Sequence, residues 1–135
     1  VTDARALVQK YYDAFNRGDA PGMLACLTDD VIHDINQGER EVGRDAFQRF
    51  LDRMNACYRE RLADMVILAS PDGARAAAEF VVLGEYLRGD EGLPPARGQS
   101  YRLPAGAFFD LRDGKIARVT NYYNLADWID QVKRA

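Results

Sequence analysis

A carboxylate stands among residues that alternate like a half-buried strand. In "LTDDVIHDINQGER" (27–40), Asp29 and Asp30 read as a capping and turn pair, and Val31 and Ile32 follow. The one histidine of the chain, His33, then precedes Asp34, Ile35 and Asn36. A carboxylate facing an apolar cavity can serve as a general base, because desolvation raises its proton affinity. The same residue at a solvated strand end does no chemistry, and the stretch leaves both readings open. In a regular strand Asp34 shares a face with Ile32 and Asn36, while His33 points the other way. Tyr11, Asn121 and Tyr123 are the other polar groups that could meet Asp34 in one cavity.

Composition narrows the classes that could use such a site. The 135 residues suit one domain, 1–135, with one core. A net charge of −3 offers no basic surplus for a phosphate backbone, so no nucleic-acid partner is expected. No apolar run nears the roughly 20 residues of a membrane span. The start, "VTDARALVQKYY", reads as a charged helix rather than a signal peptide, and since the two cysteines require no oxidising compartment a cytoplasmic location is expected. Cys26 and Cys57 lack metal or redox spacing and read as reduced, partly buried thiols. With a single histidine and scattered acids, neither a metal nor a cofactor is expected.

The elements that must position these groups follow from periodicity. Leu7, Val8, Tyr11, Tyr12 and Phe15 recur at helical spacing, and "RGD" (17–19) ends that helix. Asp19 caps a short helix over "APGMLACL", residues 30–35 form a short strand, and "RDAFQRFLDRMNACY" forms a third helix. Strands over 61–69, 74–87, 100–111 and 115–123 follow. A last helix is capped by Asn124, with Trp128 on its packed face. The loop 88–99 is a rim or lid. This order is α+β, with helices on one face of a sheet. Side-chain alternation places Phe80, Val82, Tyr86, Tyr101, Leu103, Phe109, Val119, Asn121 and Tyr123 on the concave side. With Asn36 they would line a pocket for an apolar small molecule, although aromatics on an inner sheet face are also what a plain core contains.

Two stretches carry a family resemblance. "KYYDAFNRGDAPGMLACLTDDVIHDINQG" and "PPARGQSYRLPAGAFFDLRDGKIARVTNYYNLADWIDQV" together resemble the SnoaL-like, ketosteroid-isomerase-related proteins of the NTF2-like superfamily. The resemblance implies a cone-shaped barrel, a curved antiparallel sheet packed on three N-terminal helices plus a C-terminal helix. It implies proton transfer on an apolar carbonyl compound, by steroid isomerisation or polyketide cyclisation, and a homodimer through the outer sheet face. By the same resemblance Asp34 would be the catalytic base and Tyr11 the catalytic hydrogen-bond donor to the enolate oxygen. The second donor position falls on Gly106 or Ala107, which have no donor to offer, so Asn121 or Tyr123 would have to replace it. The Asp-Arg-Asp set of limonene-epoxide-hydrolase-like relatives has no counterpart on the inward positions. A non-catalytic binding or dimerisation module is the competing expectation.

Overall fold

Aspartates set the first two helices. In the computed structural model, which describes residues 3–134, Asp3 caps α1 (Ala4–Asn16) by accepting from the Arg5 N–H at 3.0 Å. Val1 and Thr2 of the stretch read as helical, and Ala135 of the domain, lie outside the described residues. Gly18 takes the left-handed turn at φ +71°, and Asp19 caps α2 (Ala20–Leu24) through the Gly22 N–H at 2.9 Å. Then come β1 (Leu27–Asp34), the two-residue β2 (Glu41–Val42) and α3 (Arg44–Cys57). The long strands β3 (Tyr58–Ala69), β4 (Arg75–Tyr86), β5 (Gln99–Arg112) and β6 (Lys115–Tyr123) follow. The chain then enters α4 (Leu125–Arg134), where Asn124 Oδ1 accepts from the Asp127 N–H at 3.0 Å.

The six strands form one open sheet in the order β2-β1-β6-β5-β4-β3. The consecutive antiparallel run β3 to β6 agrees with the sequence reading. The sheet is not antiparallel throughout: β1 runs parallel to β6, pairing His33 with Val119 and Asp34 with Thr120. It also stays unclosed, curving over the helices, with bulges between Ala63 and Val66 and between Asp110 and Leu111. The first bulge contains Asp64 at φ +56°.

One side chain fastens α1 to the sheet. Asn16 donates from Nδ2 to the Leu62 carbonyl at 3.1 Å and accepts from the Leu62 N–H at 2.8 Å. The amide thus completes β3 as a neighbouring strand would. Its position holds Tyr11 and Tyr12, both buried, edge-on to Phe109 across the layer. Cys26 and Cys57 are buried and free. On the outer sheet face Val66, Leu68, Phe108 and Tyr122 are exposed. Among the described residues no helix is long and apolar enough to cross a membrane.

A row across three strands matters most for the site. Glu60 on β3 pairs with Gly84 on β4, and Gly84 with Tyr101 on β5. Because Gly84 has no side chain, the Tyr101 ring lies over it and the hydroxyl reaches Glu60. A Cβ on Gly84 would stand 2.3 Å from Tyr101 Cζ, inside the ring's own volume. Gly84→Ala is therefore expected to destabilise the fold by about 2 kcal/mol, through overpacking and the displaced hydroxyl. Chemical denaturation of the two proteins measures this, and an unchanged midpoint would show that the ring is not confined there.

Candidate active site

The concave side of the sheet and helices α1, α3 and α4 enclose a cavity of about 810 Å³. That size holds a small organic molecule. The lining is chiefly apolar, with Phe15, Phe50, Met54, Leu62, Phe80 and Val82 among the walls. Two polar centres interrupt it.

The first centre is built on β3, β5 and the loop after β4. Tyr101 donates its hydroxyl proton to Glu60 Oε2. Burial raises the Glu60 carboxyl above the ordinary glutamate range, and the Tyr101 hydrogen bond opposes this without cancelling it. No Lys or Arg pairs with Glu60 among the described residues. Beside it, the Tyr58 hydroxyl donates to Asp90 Oδ2 at 2.8 Å, and Arg53 Nε lies 3.8 Å from Asp90 Oδ1. Asp90 is fixed in turn by Tyr86, whose hydroxyl accepts from the Asp90 N–H at 2.9 Å and donates to the Pro94 carbonyl at 2.6 Å. Trp128 packs edge-on against Tyr58, Tyr86 and Tyr101. Burial also raises the Tyr58, Tyr101 and Tyr123 hydroxyls, so all three remain protonated donors at neutral pH.

The second centre is built on β1, β2 and β6. His33 is 1% exposed and sits between Phe47 and Phe50, with ring centroids 4.5 and 4.6 Å away. Its Nε2 lies 3.1 Å from Asn121 Nδ2, and its Nδ1 lies 3.8 Å from Glu41 Oε1. The β1–β2 register sets Glu41 directly across from His33. Burial pushes the imidazole down to about 4, against a smaller upward pull from Asp34, so His33 is neutral at pH 7. Tyr11 and Tyr12 line the same cavity. The Tyr12 hydroxyl is sealed without a partner, while the Tyr11 hydroxyl has no protein partner among the described residues and is not sealed.

These placements correct the expected face of β1. Val31 and His33 point inward, and Asp34 points to the outer face. There Arg40 holds Asp34 through two bonds of 2.7 and 3.0 Å, and the Thr120 hydroxyl donates to it at 3.0 Å. Thr120 also accepts from Arg118, which grips Asp110 at 2.8 and 3.0 Å. The Arg40 hydrogen bond holds the Asp34 carboxyl below its ordinary range. A carboxylate outside the cavity, already paired and made less basic, is not placed to take a proton from a bound ligand. Asn36 also stands outside the cavity, in the left-handed region at φ +67°, with Nδ2 donating to the Asn121 carbonyl at 2.7 Å.

Of the other expected residues, Tyr11, Phe80, Val82, Leu103, Asn121 and Tyr123 line the cavity. Tyr86, Tyr101, Phe109 and Val119 are buried in the layer behind its surface. Glu60, Tyr12 and Tyr58 are on the wall and were not expected there, and Trp128, on the packed face of α4, reaches it as well. The signal for Glu60 is the alternation in "YRERL", which turns Tyr58, Glu60 and Leu62 inward and Arg59 and Arg61 outward. Among the described residues no group of three or more His, Cys, Asp or Glu is gathered as a metal cage requires.

Comparison with known proteins places the molecule. Residues 8–119 match the SnoaL-like domain. A proposed polyketide cyclase of Pseudomonas putida KT2440 is 64% identical, with 98% of both chains covered and a TM-score of 0.95. A second proposed polyketide cyclase, from Xanthomonas campestris pv. campestris, is 62% identical over 96% of both chains, with a TM-score of 0.93. An NTF2-like protein of unknown function from Burkholderia pseudomallei K96243 shares the fold at 21% identity, over 98% of both chains, with a TM-score of 0.81. A search of curated proteins finds no match.

The buried imidazole predicts a defined pH dependence. A histidine lowered from 6.5 to about 4 on folding favours the folded state in its neutral form. Its contribution is therefore complete above pH 6.5 and is lost as pH falls from 6.5 toward 4, by about 3 kcal/mol in all. Carboxylates lowered on folding act below that window. The single histidine makes its NMR titration unambiguous. A midpoint near 4 is expected, and a midpoint near 6.5 would contradict the burial.

Proposed function

The chain belongs to the SnoaL-like domain family and has the NTF2-like fold, and on that premise we propose that it moves a proton on an apolar carbonyl compound bound in the cavity. The reaction is of the isomerase or cyclase type. One observation carries the reading: Glu60 is a carboxyl on the cavity wall, raised by burial, bonded to Tyr101 and paired with no base. A base of raised pKa is better matched to carbon acids near neutral pH than an ordinary glutamate.

The step follows from the groups present. The Glu60 carboxylate takes a proton from the carbon next to the carbonyl. The C–H electron pair moves into the carbonyl, and the oxygen takes the negative charge. The Tyr11 hydroxyl, open to the cavity and without a protein partner, donates to that oxygen. Returning the proton to another carbon completes an isomerisation. Attack of the enolate carbon on a second carbonyl closes a ring instead. The apolar walls keep water from quenching the enolate. The names of the Pseudomonas and Xanthomonas relatives support the cyclase branch. A binding module without chemistry gains nothing from an unpaired buried carboxyl, which opposes folding once it ionises.

Isomerisation of a 5-ene-3-ketosteroid, followed by its absorbance change, and deuterium exchange next to the carbonyl of apolar ketones test this reading. Glu60→Gln is expected to lower the rate roughly 100-fold or more. Asp34→Asn is expected to leave it within about twofold, because Asp34 lies on the outer face. Retained turnover in Glu60→Gln would remove Glu60 from the role. Absence of both reactions in the folded wild type would remove the proton-transfer reading.

A further inference from the structure

The second polar centre of the cavity has a direction. His33 Nδ1 and Glu41 Oε1 are both sealed from solvent and without hydrogen-bond partners, and they face each other 3.8 Å apart. Two lone pairs facing each other in that setting would repel. A proton on Nδ1, pointing at the Glu41 carboxylate, turns the same geometry into attraction. The ring is neutral at pH 7, so a proton on Nδ1 leaves Nε2 bare. A bare Nε2 accepts, and the atom 3.1 Å from it is Asn121 Nδ2, a donor. The chain of hydrogens thus runs one way, from the Asn121 amide to His33 and from His33 to Glu41.

An amide that donates toward His33 turns its oxygen elsewhere. Asn121 lines the cavity. Its Oδ1 accepts from no protein group among the described residues and is not among the sealed, unpartnered atoms, so it is open to the cavity. Tyrosine hydroxyls on the wall can donate or accept and do not discriminate. An amide oxygen only accepts. The geometry points to a ligand that carries a hydroxyl group, whose proton is received by Asn121 Oδ1 as oriented by the Glu41–His33 pair. This rests on the reading of the cavity as a small-molecule site. Joined to the carbonyl bound by Tyr11, it makes the substrate class an apolar hydroxy-carbonyl compound. Asn121 and His33 are then specificity and positioning residues, not the groups that move the proton.

Two measurements test it without using turnover. In the nitrogen NMR spectrum of histidine-labelled protein at pH 7, the single imidazole is expected to carry its proton on Nδ1. A proton on Nε2 would overturn the inference, since Asn121 would then offer its amino group. Calorimetric titration with 2-naphthol and with 2-methoxynaphthalene compares a donor with its methyl ether, which cannot donate. The ether is the more apolar, so burial alone favours it. Wild type is expected to bind 2-naphthol about tenfold more tightly or better. Asn121→Leu should lose that preference. Glu41→Ala, on a two-residue edge strand where little packing is disturbed, should weaken it. Equal affinities, no binding by either probe, or a preference that survives Asn121→Leu would overturn the inference. Neither measurement involves Glu60, so undiminished proton exchange in Glu60→Gln would sink the catalytic reading and leave this one standing. An Nε2 proton would do the reverse.

Discussion

The bond between Tyr101 and Glu60 ties the sheet to the carboxyl on its inner wall. It spans three strands, and it exists because the strand between them carries Gly84 at that row. An ionised carboxylate with no cation beside it is expensive to bury. Raising the pKa lowers that cost by keeping the carboxyl protonated over more of the pH range, so Glu60 contributes stability at low pH and loses it as pH rises through its folded value. The Tyr101 hydroxyl offsets part of the loss by solvating the anion. A group held at this balance can release and accept a proton with little reorganisation of its surroundings. The aromatic ring of Trp128 and the Tyr58–Asp90 bond hold the balance in place from the sides.

The cavity therefore has unlike walls. Around Glu60 the groups are tyrosine hydroxyls and the carboxyls to which they donate. Around His33 they form a fixed polar chain with no mobile charge, because burial keeps the imidazole neutral. Between the two lie aromatic and aliphatic surfaces that offer no hydrogen-bonding group. The charged groups of β1, β5 and β6 that could have competed, Asp34, Asp110 and Arg118, pair with one another and with Arg40 on the opposite side of the sheet. Segregating them there leaves Glu60 without a cation beside it among the described residues, next to the aromatic cluster.

Much of this was legible in the chain, and the failures have physical causes. The inner faces of β4 and of β5 up to its bulge follow from alternation, since each has one charged face, whereas β6 alternates only from Val119 onward because the bulge also buries Ile116. The caps Asp19 and Asn124 follow from side chains that accept from helix N–H groups. The face of β1 did not follow, because Val31 and Ile32 are both apolar and either parity buries one of them. The strand also ends at Asp34, and Asn36 turns away at positive φ, so extending the alternation to Asn36 gave false support to the wrong face. Glu60 was hidden because β3 begins at Tyr58, directly after α3 with no loop, while the helical pattern ran on to that junction. The parallel β1–β6 contact joins segments far apart in the chain and leaves no local mark.

Proton transfer in this cavity depends on Glu60 being a carboxyl of raised proton affinity, and its own titration measures that directly. Protein labelled with carbon-13 at the glutamate carboxyls can be titrated by NMR, with Glu60 assigned by the resonance missing from Glu60→Gln. A midpoint above that of the exposed glutamates is expected, moving higher still in Tyr101→Phe, where the bond that favours the anion is gone. A Glu60 that titrates with or below the exposed glutamates would contradict it.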